Sequence, residues 1–154
     1  MSIEITDDVV LAALKAGPEA WINLTKHLRK SGKPCRVSSE DLQGVNFAGL
    51  NFPTHARFDG CFFSDAKFRA TVFEQGASFV DCTFNGLTEI NMHTGAGDLS
   101  FDRATFEGPL AVHHFGAMRS ISFAGARFQQ GLSARGLDKQ HPLNWPTLHF
   151  QQAH

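Results

Sequence analysis

The stretch ARFDGCFF at residues 56–63 recurs three times along the chain, as ASFVDCTF at 77–84, LSFDRATF at 99–106 and ISFAGARF at 121–128. The leading phenylalanines of the four copies recur after twenty-one or twenty-two positions, and a second phenylalanine follows each of them after five positions. A repeat of this period is typical of a solenoid, in which each turn buries its apolar face only against the neighbouring turns.

The spacing of five fits neither a helix, which needs apolar residues three and four apart, nor a simple strand, which needs every second residue. It fits a chain that turns a corner every five residues, so that four corners close a square coil. A small residue two places before the second phenylalanine then lets the next side approach; these small residues are Cys61, Cys82, Ala104 and Ala126. The pattern therefore predicts an all-β solenoid with two stacked columns of buried rings. One column is Phe58, Phe79, Phe101 and Phe123, and the other is Phe63, Phe84, Phe106 and Phe128.

The chain resembles the pentapeptide-repeat proteins, whose motif is a small residue, a polar residue, Leu or Phe, and two polar or small residues. VNFAG at 45–49 and AKFRA at 66–70 match this motif, and the resemblance covers roughly residues 37 to 135. It implies a right-handed quadrilateral β-helix of about five coils. The pattern departs from the motif at His55 and Gly76, which read as one-residue insertions, and at 87–98, where the period of five is lost.

Residues 1–36 are predicted to form a helical cap on the first coil. Thr6 is a suitable N-cap, and Gly17 followed by Pro18 separates two short helices. The second helix carries an apolar stripe of Trp21, Leu24 and Leu28. An open β-helix end would expose unpaired strand edges and core, so we expect these helices to cover it. Cys35 is interpreted as lying before the first coil.

The repeats are assigned to residues 37–136, and the segment 137–154 follows them as a separate unit. Its apolar residues are interrupted by Pro142 and Pro146, so it cannot form a regular helix. Two interpretations are open for this segment. It is either a plug over the last coil or the contact of a homodimer, because members of the resembled family often pair through their C-terminal ends. An exposed Trp145 would favour the dimer.

No catalytic motif is present in the sequence. It contains no Gly-rich phosphate loop, no Cys-x-x-Cys pair, no His-Glu-x-x-His and no Gly-x-Ser-x-Gly. His113 and His114 are the best local pair for a metal ion, but adjacent residues of a strand point to opposite sides. We therefore predict no enzyme activity, no cofactor and no metal site.

The cysteines and the hydropathy point to a cytoplasmic protein. Cys61 and Cys82 are predicted to lie one coil apart, at about 5 Å, which would permit a disulfide. Alanine replaces them in the next two coils, so they are interpreted as small packing residues. No apolar run approaches the ~20 residues of a membrane span, and the acidic N-terminus lacks the features of a signal peptide. The resemblance implies a bacterial source.

Acidic residues are concentrated in the middle of the repeats. Residues 59–107 carry eight acids against three bases, whereas the whole chain has a net charge of −1. Asp59, Asp81 and Asp102 fall at or beside the same corner of successive coils, and Asp65 and Glu107 flank the next corner. Two interpretations are open: a solvated surface that aids solubility, or a rigid acidic edge that docks into a basic groove of the kind found in enzymes that act on nucleic acid.

The resemblance implies a non-catalytic protein-binding role. The best-known members of that family protect DNA gyrase and imitate DNA with a long acidic rod. This chain is short and nearly neutral, which favours a small inhibitor or immunity protein that neutralises an enzyme such as a toxin nuclease. Protection of a type II topoisomerase and an architectural or adaptor role are the alternatives. Neither a membrane nor directly bound nucleic acid is an expected partner.

Overall fold

The computed structural model describes residues 4–91, 95–114, 119–134, 143–144 and 149–150. Within these residues the chain forms two helices followed by a parallel β-solenoid with four faces, which confirms the predicted fold. In the described part of the chain no helix combines the length and the apolar character needed to cross a bilayer.

The helices are α1 (Asp7–Ala16) and α2 (Pro18–Ser31). The strands of the first two turns are β1 (Cys35–Arg36), β2 (Asn51–Phe52), β3 (Ala56–Arg57), β4 (Phe62–Ser64), β5 (Lys67–Arg69), β6 (Val72–Phe73), β7 (Ala77–Ser78) and β8 (Thr83–Asn85). The later strands are β9 (Thr88–Asn91), β10 (Asp98–Ser100), β11 (Thr105–Phe106), β12 (Leu110–His114), β13 (Ser120–Ser122), β14 (Arg127–Phe128), β15 (Leu132–Ala134), β16 (Leu143–Asn144) and β17 (His149–Phe150).

Each face of the solenoid is one parallel sheet to which successive turns add a strand. Face I has the order β1-β3-β7-β10-β13-β16, face II β4-β8-β11-β14-β17, face III β5-β9-β12-β15 and face IV β2-β6. The six strands of face I begin six turns, of which the last is described only at β16 and β17 and three others only in part, so the solenoid has about four turns within the described residues. Face IV has just two strands within the described residues, fewer than any other face there.

The two phenylalanine columns form the core. The rings of Phe79 and Phe101 are 4.9 Å apart and within 6° of parallel, and those of Phe84 and Phe106 are 4.8 Å apart and within 9°. Each of these side chains is at most 1% exposed. Aromatic contacts contribute about 0.5–1.5 kcal/mol beyond the burial of their area. Ring stacking and backbone hydrogen bonds therefore hold each turn on the next.

The corner between faces I and II has the same backbone conformation in successive turns. Its second residue has a positive φ in every turn from the second to the fifth: 72° at Gly60, 58° at Asp81, 56° at Arg103 and 70° at Gly125. Glycine adopts this left-handed conformation freely, aspartate tolerates it, and arginine does so at some cost. The repeated turn keeps the corners in register along the solenoid axis.

The two helices are attached to the first turn. The Thr6 hydroxyl accepts a hydrogen bond from the Val9 N–H at 3.2 Å and caps α1 as predicted. Trp21 is buried in α2, its ring lies 4.8 Å from that of Phe52, and its Nε1 donates to the Asn51 carbonyl at 2.8 Å. The helices therefore continue the apolar core past the first coil.

The solenoid begins earlier in the chain than the sequence indicated. Cys35 does not precede the first coil: it lies in β1, pairs with Ala56 and is fully buried. The reason is the strand register, which advances by one full turn from Cys35 to Ala56 and by another to Ala77. The cysteine therefore stands at the head of the column that these two alanines continue.

The parallel pairing continues past Gly136. Leu143 pairs with Ile121 and Phe150 pairs with Phe128, each one turn earlier, so two pieces of the segment 137–154 add strands to faces I and II. Backbone pairing does not need the pentapeptide motif, which explains the continuation. Trp145 lies outside the described residues, and whether this segment plugs the solenoid or pairs two copies stays a prediction.

Strand β12 is irregular at the histidine pair. The register of β12 against β9 shifts between Val112, which faces Ile90, and His114, which faces Asn91, so His113 is the additional residue. This irregularity lies on face III, directly before the part of face IV that lacks paired strands in the described residues.

Candidate protein-binding face

Face II and the corner on either side of it form a continuous outer surface, which we call the acidic face. It comprises residues 38–44, 59–65, 80–86, 102–108 and 124–130, one segment from each turn. The outward positions in the middle of the face form a column of Asp41, Phe62, Thr83, Thr105 and Arg127. The following residue of each strand, such as Phe63 or Phe84, points inward and is buried.

The acidic face differs from the rest of the solenoid in charge. It carries seven acids and two arginines, a net charge of −5. The remainder of the chain between Cys35 and Ala134 carries three acids and five basic residues, a net charge of +2. The acids of the face are Glu40, Asp41, Asp59, Asp65, Asp81, Asp102 and Glu107. The five acids predicted from the sequence are all among them.

Asp59 and Asp102 occupy the first position of the corner between faces I and II, two turns apart. Asp59 Oδ1 accepts hydrogen bonds from the Ser78 hydroxyl at 2.6 Å and the Val80 N–H at 3.3 Å. Its other oxygen lies 3.0 Å from Arg57. These carboxylates therefore connect adjacent turns, a structural role that the sequence did not reveal.

Asp81 lies one residue further along the corner and pairs with Arg103 of the next turn. Asp81 Oδ1 accepts from Arg103 Nε at 2.9 Å, and Oδ2 accepts from Nη2 at 3.3 Å. This hydrogen-bonded carboxylate raises the pKa of the Arg103 guanidinium, and the charges of Asp102 and Asp59 add to the effect. The predicted acidic column thus contains a cation, and its charge is partly neutralised.

Asp65 and Glu107 lie on the corner between faces II and III. Neither carboxylate takes part in an ion pair among the described residues. Asp65 covers Gly86 of the next turn so closely that a Cβ there would overlap Asp65 Oδ1. A Cβ on Gly108 would overlap the Gly86 carbonyl oxygen, so the close approach of these two turns requires glycine at position 108.

Sequence reasoning missed three residues of the face: Glu40, Asp41 and Phe62. The signal was available, because Glu40 and Asp41 lie one repeat before Cys61 and Phe62 and so belong to the same corner and column. Asp41 Oδ1 accepts a hydrogen bond from the Gln43 N–H at 2.9 Å. Phe62 is 47% exposed, although it directly precedes a buried phenylalanine.

The cysteines are placed for packing. All three are buried and free. Burial, with a smaller effect of the Asp7 charge, raises the pKa of the Cys35 thiol to about 12, and burial also raises the pKa of Cys61 and Cys82. A thiol that stays protonated is a poor nucleophile and a poor metal ligand.

The described residues hold no group of three or more histidine, cysteine or acidic side chains that could bind a metal ion. What the acidic face offers chemically is non-covalent: carboxylates for cations, threonine hydroxyls for hydrogen bonds and one exposed ring. No model of a known protein family matches this chain, and no curated protein matches it.

Proposed function

We propose that this protein belongs to the pentapeptide-repeat proteins and inhibits an enzyme that acts on nucleic acid, such as a toxin nuclease, without catalysing a reaction itself. The acidic face would cover the basic groove of that enzyme. One observation carries the proposal: the acidic face has a net charge of −5, while the rest of the solenoid has +2. A one-sided charge distribution speeds encounter with an oppositely charged partner and fixes its orientation.

The size of the face favours a small nuclease over a topoisomerase. Five turns at about 4.8 Å each give a length of about 24 Å. Duplex DNA of that length carries about 14 phosphate charges, at one per about 1.7 Å. The acidic face, at −5, reaches less than half of that charge and spans only about seven base pairs. It suits a compact catalytic groove better than the extended groove of a DNA gyrase.

The scaffold also suits tight binding because little of it has to become ordered on contact. Its core rings are stacked, and cross-turn ion pairs such as Arg69–Glu89 and Arg119–Asp98 hold neighbouring turns together. A preorganised surface loses less conformational entropy when a partner binds. The proposal places the protein in the bacterial cytoplasm, where three free cysteines are ordinary.

The test is inhibition of purified enzymes at two ionic strengths. We would titrate the protein into bacterial DNase and RNase toxins and into DNA gyrase, and follow cleavage or supercoiling. The face variant Asp65→Lys with Glu107→Lys removes two acids that make no ion pair among the described residues. The control Glu4→Lys with Glu19→Lys changes the net charge equally, on exposed residues that do not belong to the acidic face.

We expect inhibition of a nuclease that weakens with salt and with the face variant but is retained in the control. Inhibition of gyrase alone would mean that the target is a topoisomerase and not a nuclease. Binding without inhibition would mean that the protein acts as an adaptor and not as an inhibitor. Equal losses in the face variant and the control, or no effect of the native protein on any of the enzymes, would overturn the proposal.

A further inference from the structure

Phe62 is an exposed aromatic side chain in the middle of the acidic face. We propose that Phe62 and Asp41 form the anchor of this face and receive an arginine side chain from the surface of the partner. The inference rests on the proposed function, since it names the group that the acidic face recognises.

The fold does not require a phenylalanine at position 62. Thr83 and Thr105 occupy the same outward column one and two turns later. Among the described residues, the exposed large apolar side chains are Ile22, Phe62 and Leu87, and Phe62 is the one in the outward column of face II. A ring that remains 47% exposed gains little from folding. Single exposed apolar residues are common on protein surfaces, so it is the acids next to this ring that indicate a binding role.

Three aspartates occupy positions near Phe62 on the acidic face. Asp41 is its lateral neighbour through a parallel bridge, at a strand separation of about 4.8 Å. Asp59 and Asp65 lie three residues before and after it, at the two corners of the same turn. Asp41 and Asp65 make no ion pair within the described residues. An apolar partner group would meet charged neighbours here, whereas a cation would meet both a ring face and acids.

The net negative charge of the acidic face is greatest in its first two turns, and Phe62 lies in the second of them. The segments of the acidic face in the first and second turns each carry a net charge of −2, those in the third and fourth each −1, and that in the fifth +1. Within the predicted corner of Asp59, Asp81 and Asp102, the negative charge is weaker at Asp81 and Asp102, because Arg103 lies between these acids and pairs with Asp81. The geometry therefore moves the centre of recognition towards the first two turns.

Arginine fits this arrangement better than lysine. Its planar guanidinium stacks on an aromatic face and at the same time offers a fork of N–H donors to a carboxylate. Lysine supplies a compact charge without the plane, and so satisfies the acid but not the ring. One guanidinium stacked on Phe62 is within reach of Asp41 on the adjacent strand, whose Oδ1 already accepts the Gln43 N–H.

The experiment uses three short blocked peptides as probes: Gly-Arg-Gly, Gly-Lys-Gly and the neutral isostere Gly-citrulline-Gly. Binding is followed by nuclear magnetic resonance on the full chain, through the ring signals of Phe62 and through the backbone amide signal of Asp41, which the Phe62→Thr variant retains. The variant Phe62→Thr installs the residue of the equivalent positions, so it should fold, and Leu87→Thr is the matched control at the other exposed apolar residue of the solenoid. Asp41→Asn removes the charge and keeps the acceptor for Gln43.

We expect the arginine peptide to shift the Phe62 signals and to bind roughly 2–5-fold more tightly than the lysine peptide, which is the range of an exposed cation–π contact. The citrulline peptide should give no shift. Phe62→Thr should abolish the preference for arginine, Asp41→Asn should weaken both cationic peptides, and Leu87→Thr should change neither result.

Equal affinity for the arginine and lysine peptides, or a preference that survives Phe62→Thr, would overturn the anchor. That outcome leaves the inhibition assay untouched, because the Asp65 and Glu107 variant tests the acidic face independently. Conversely, a preserved arginine preference at Phe62 combined with no inhibition of any enzyme would refute the proposed function and retain the anchor.

Discussion

Asp102 is hydrogen-bonded to Ser122 of the following turn: its Oδ1 accepts from the serine hydroxyl at 2.5 Å and also from the Ala124 N–H at 3.0 Å. Asp59 repeats the arrangement two turns earlier with Ser78 and Val80. The intervening turn carries Val80 at this corner position. The hydrogen bond between turns therefore forms only where the corner residue is an aspartate and the next turn supplies a serine. Two of the acids predicted to bind a partner therefore also support the fold.

The first prediction follows from that finding. Asp102→Lys should lower the free energy of unfolding by about 1–3 kcal/mol, because the Ser122 hydroxyl and the Ala124 N–H lose a charged acceptor. Asp81→Asn should cost about 0–1 kcal/mol, since asparagine tolerates the left-handed corner conformation and the change removes only an exposed ion pair with Arg103. Chemical denaturation of the two variants measures the difference. Equal stability losses would show that the hydrogen bonds of Asp102 contribute nothing.

The second prediction concerns the phenylalanine columns. Phe101→Ala should cost about 3–5 kcal/mol, because it leaves a cavity between rings that lie 4.9 Å and 5.2 Å away. That is a large part of the roughly 5–15 kcal/mol that stabilises a typical domain. Phe62→Ala is the matched control, and we expect a cost of under about 1 kcal/mol at this exposed site. Similar melting temperatures for both variants would contradict the assigned register.

The spacing of the paired phenylalanines was sufficient to predict the solenoid and its two columns of buried rings. The same period also extended to Leu143 and Phe150, but the prolines of the last segment obscured that continuation. A repeat specifies which residues stack, and each stacked contact is local, so the prediction needed no long-range information.

The details of the candidate site were less predictable. The acids could be assigned to corners, but the Asp81–Arg103 pair depends on two adjacent turns sharing a left-handed corner residue. The hydrogen bonds of Asp59 and Asp102 depend on serines in the following turn. The spacing of five assigned Phe63 to a buried column and so left Phe62 outside the core, but the place of Phe62 beside Asp41 needed the strand register.

The third prediction concerns the helical cap. Deleting residues 1–30 should expose Phe52 and the first-turn edge, and so cause aggregation, because Trp21 packs on that ring. Arg29 Nη2 lies 2.7 Å from the Glu74 carboxylate. The variant Arg29→Gln removes this ion pair and leaves the contact between Trp21 and Phe52 intact. Light scattering measures the aggregation expected of the truncated protein, and thermal unfolding measures the stability that Arg29→Gln loses with the ion pair. A soluble truncated protein that unfolds cooperatively would mean that the helices are an appendage.

The fourth prediction concerns acid sensitivity. Two hydrogen bonds lower the pKa of Asp98 from 3.8 to about 2; the one from Arg119 has the larger effect and the one from Ser120 the smaller. Because the folded-state pKa is depressed, the stabilisation is fully present above about pH 4 and is lost as the pH falls towards 2. Arg119→Gln should raise the pKa of Asp98, and Ser120→Ala should raise it less. Carboxyl resonances followed during acid titration measure this, and an unchanged Asp98 titration in Arg119→Gln would refute the assigned cause.

The fifth prediction separates packing from redox chemistry at the cysteines. Burial raises the pKa of the Cys35 thiol to about 12, so at pH 8 almost none of it is thiolate, and the pKa values of Cys61 and Cys82 are raised in the same direction. The folded protein should therefore resist a thiol reagent at pH 8. All three thiols should react once guanidinium unfolds the chain, without added reductant.

Two outcomes would contradict this account of the cysteines. A single reactive thiol after unfolding would mean that two of the three cysteines are joined, and Cys61 with Cys82, one turn apart in the same column, would be the pair. Rapid reaction of the folded protein would instead mean that a thiol is accessible or activated. Cys82→Ala serves as the control, because Ala104 and Ala126 occupy the equivalent positions in later turns, so this variant should stay folded and show one thiol fewer.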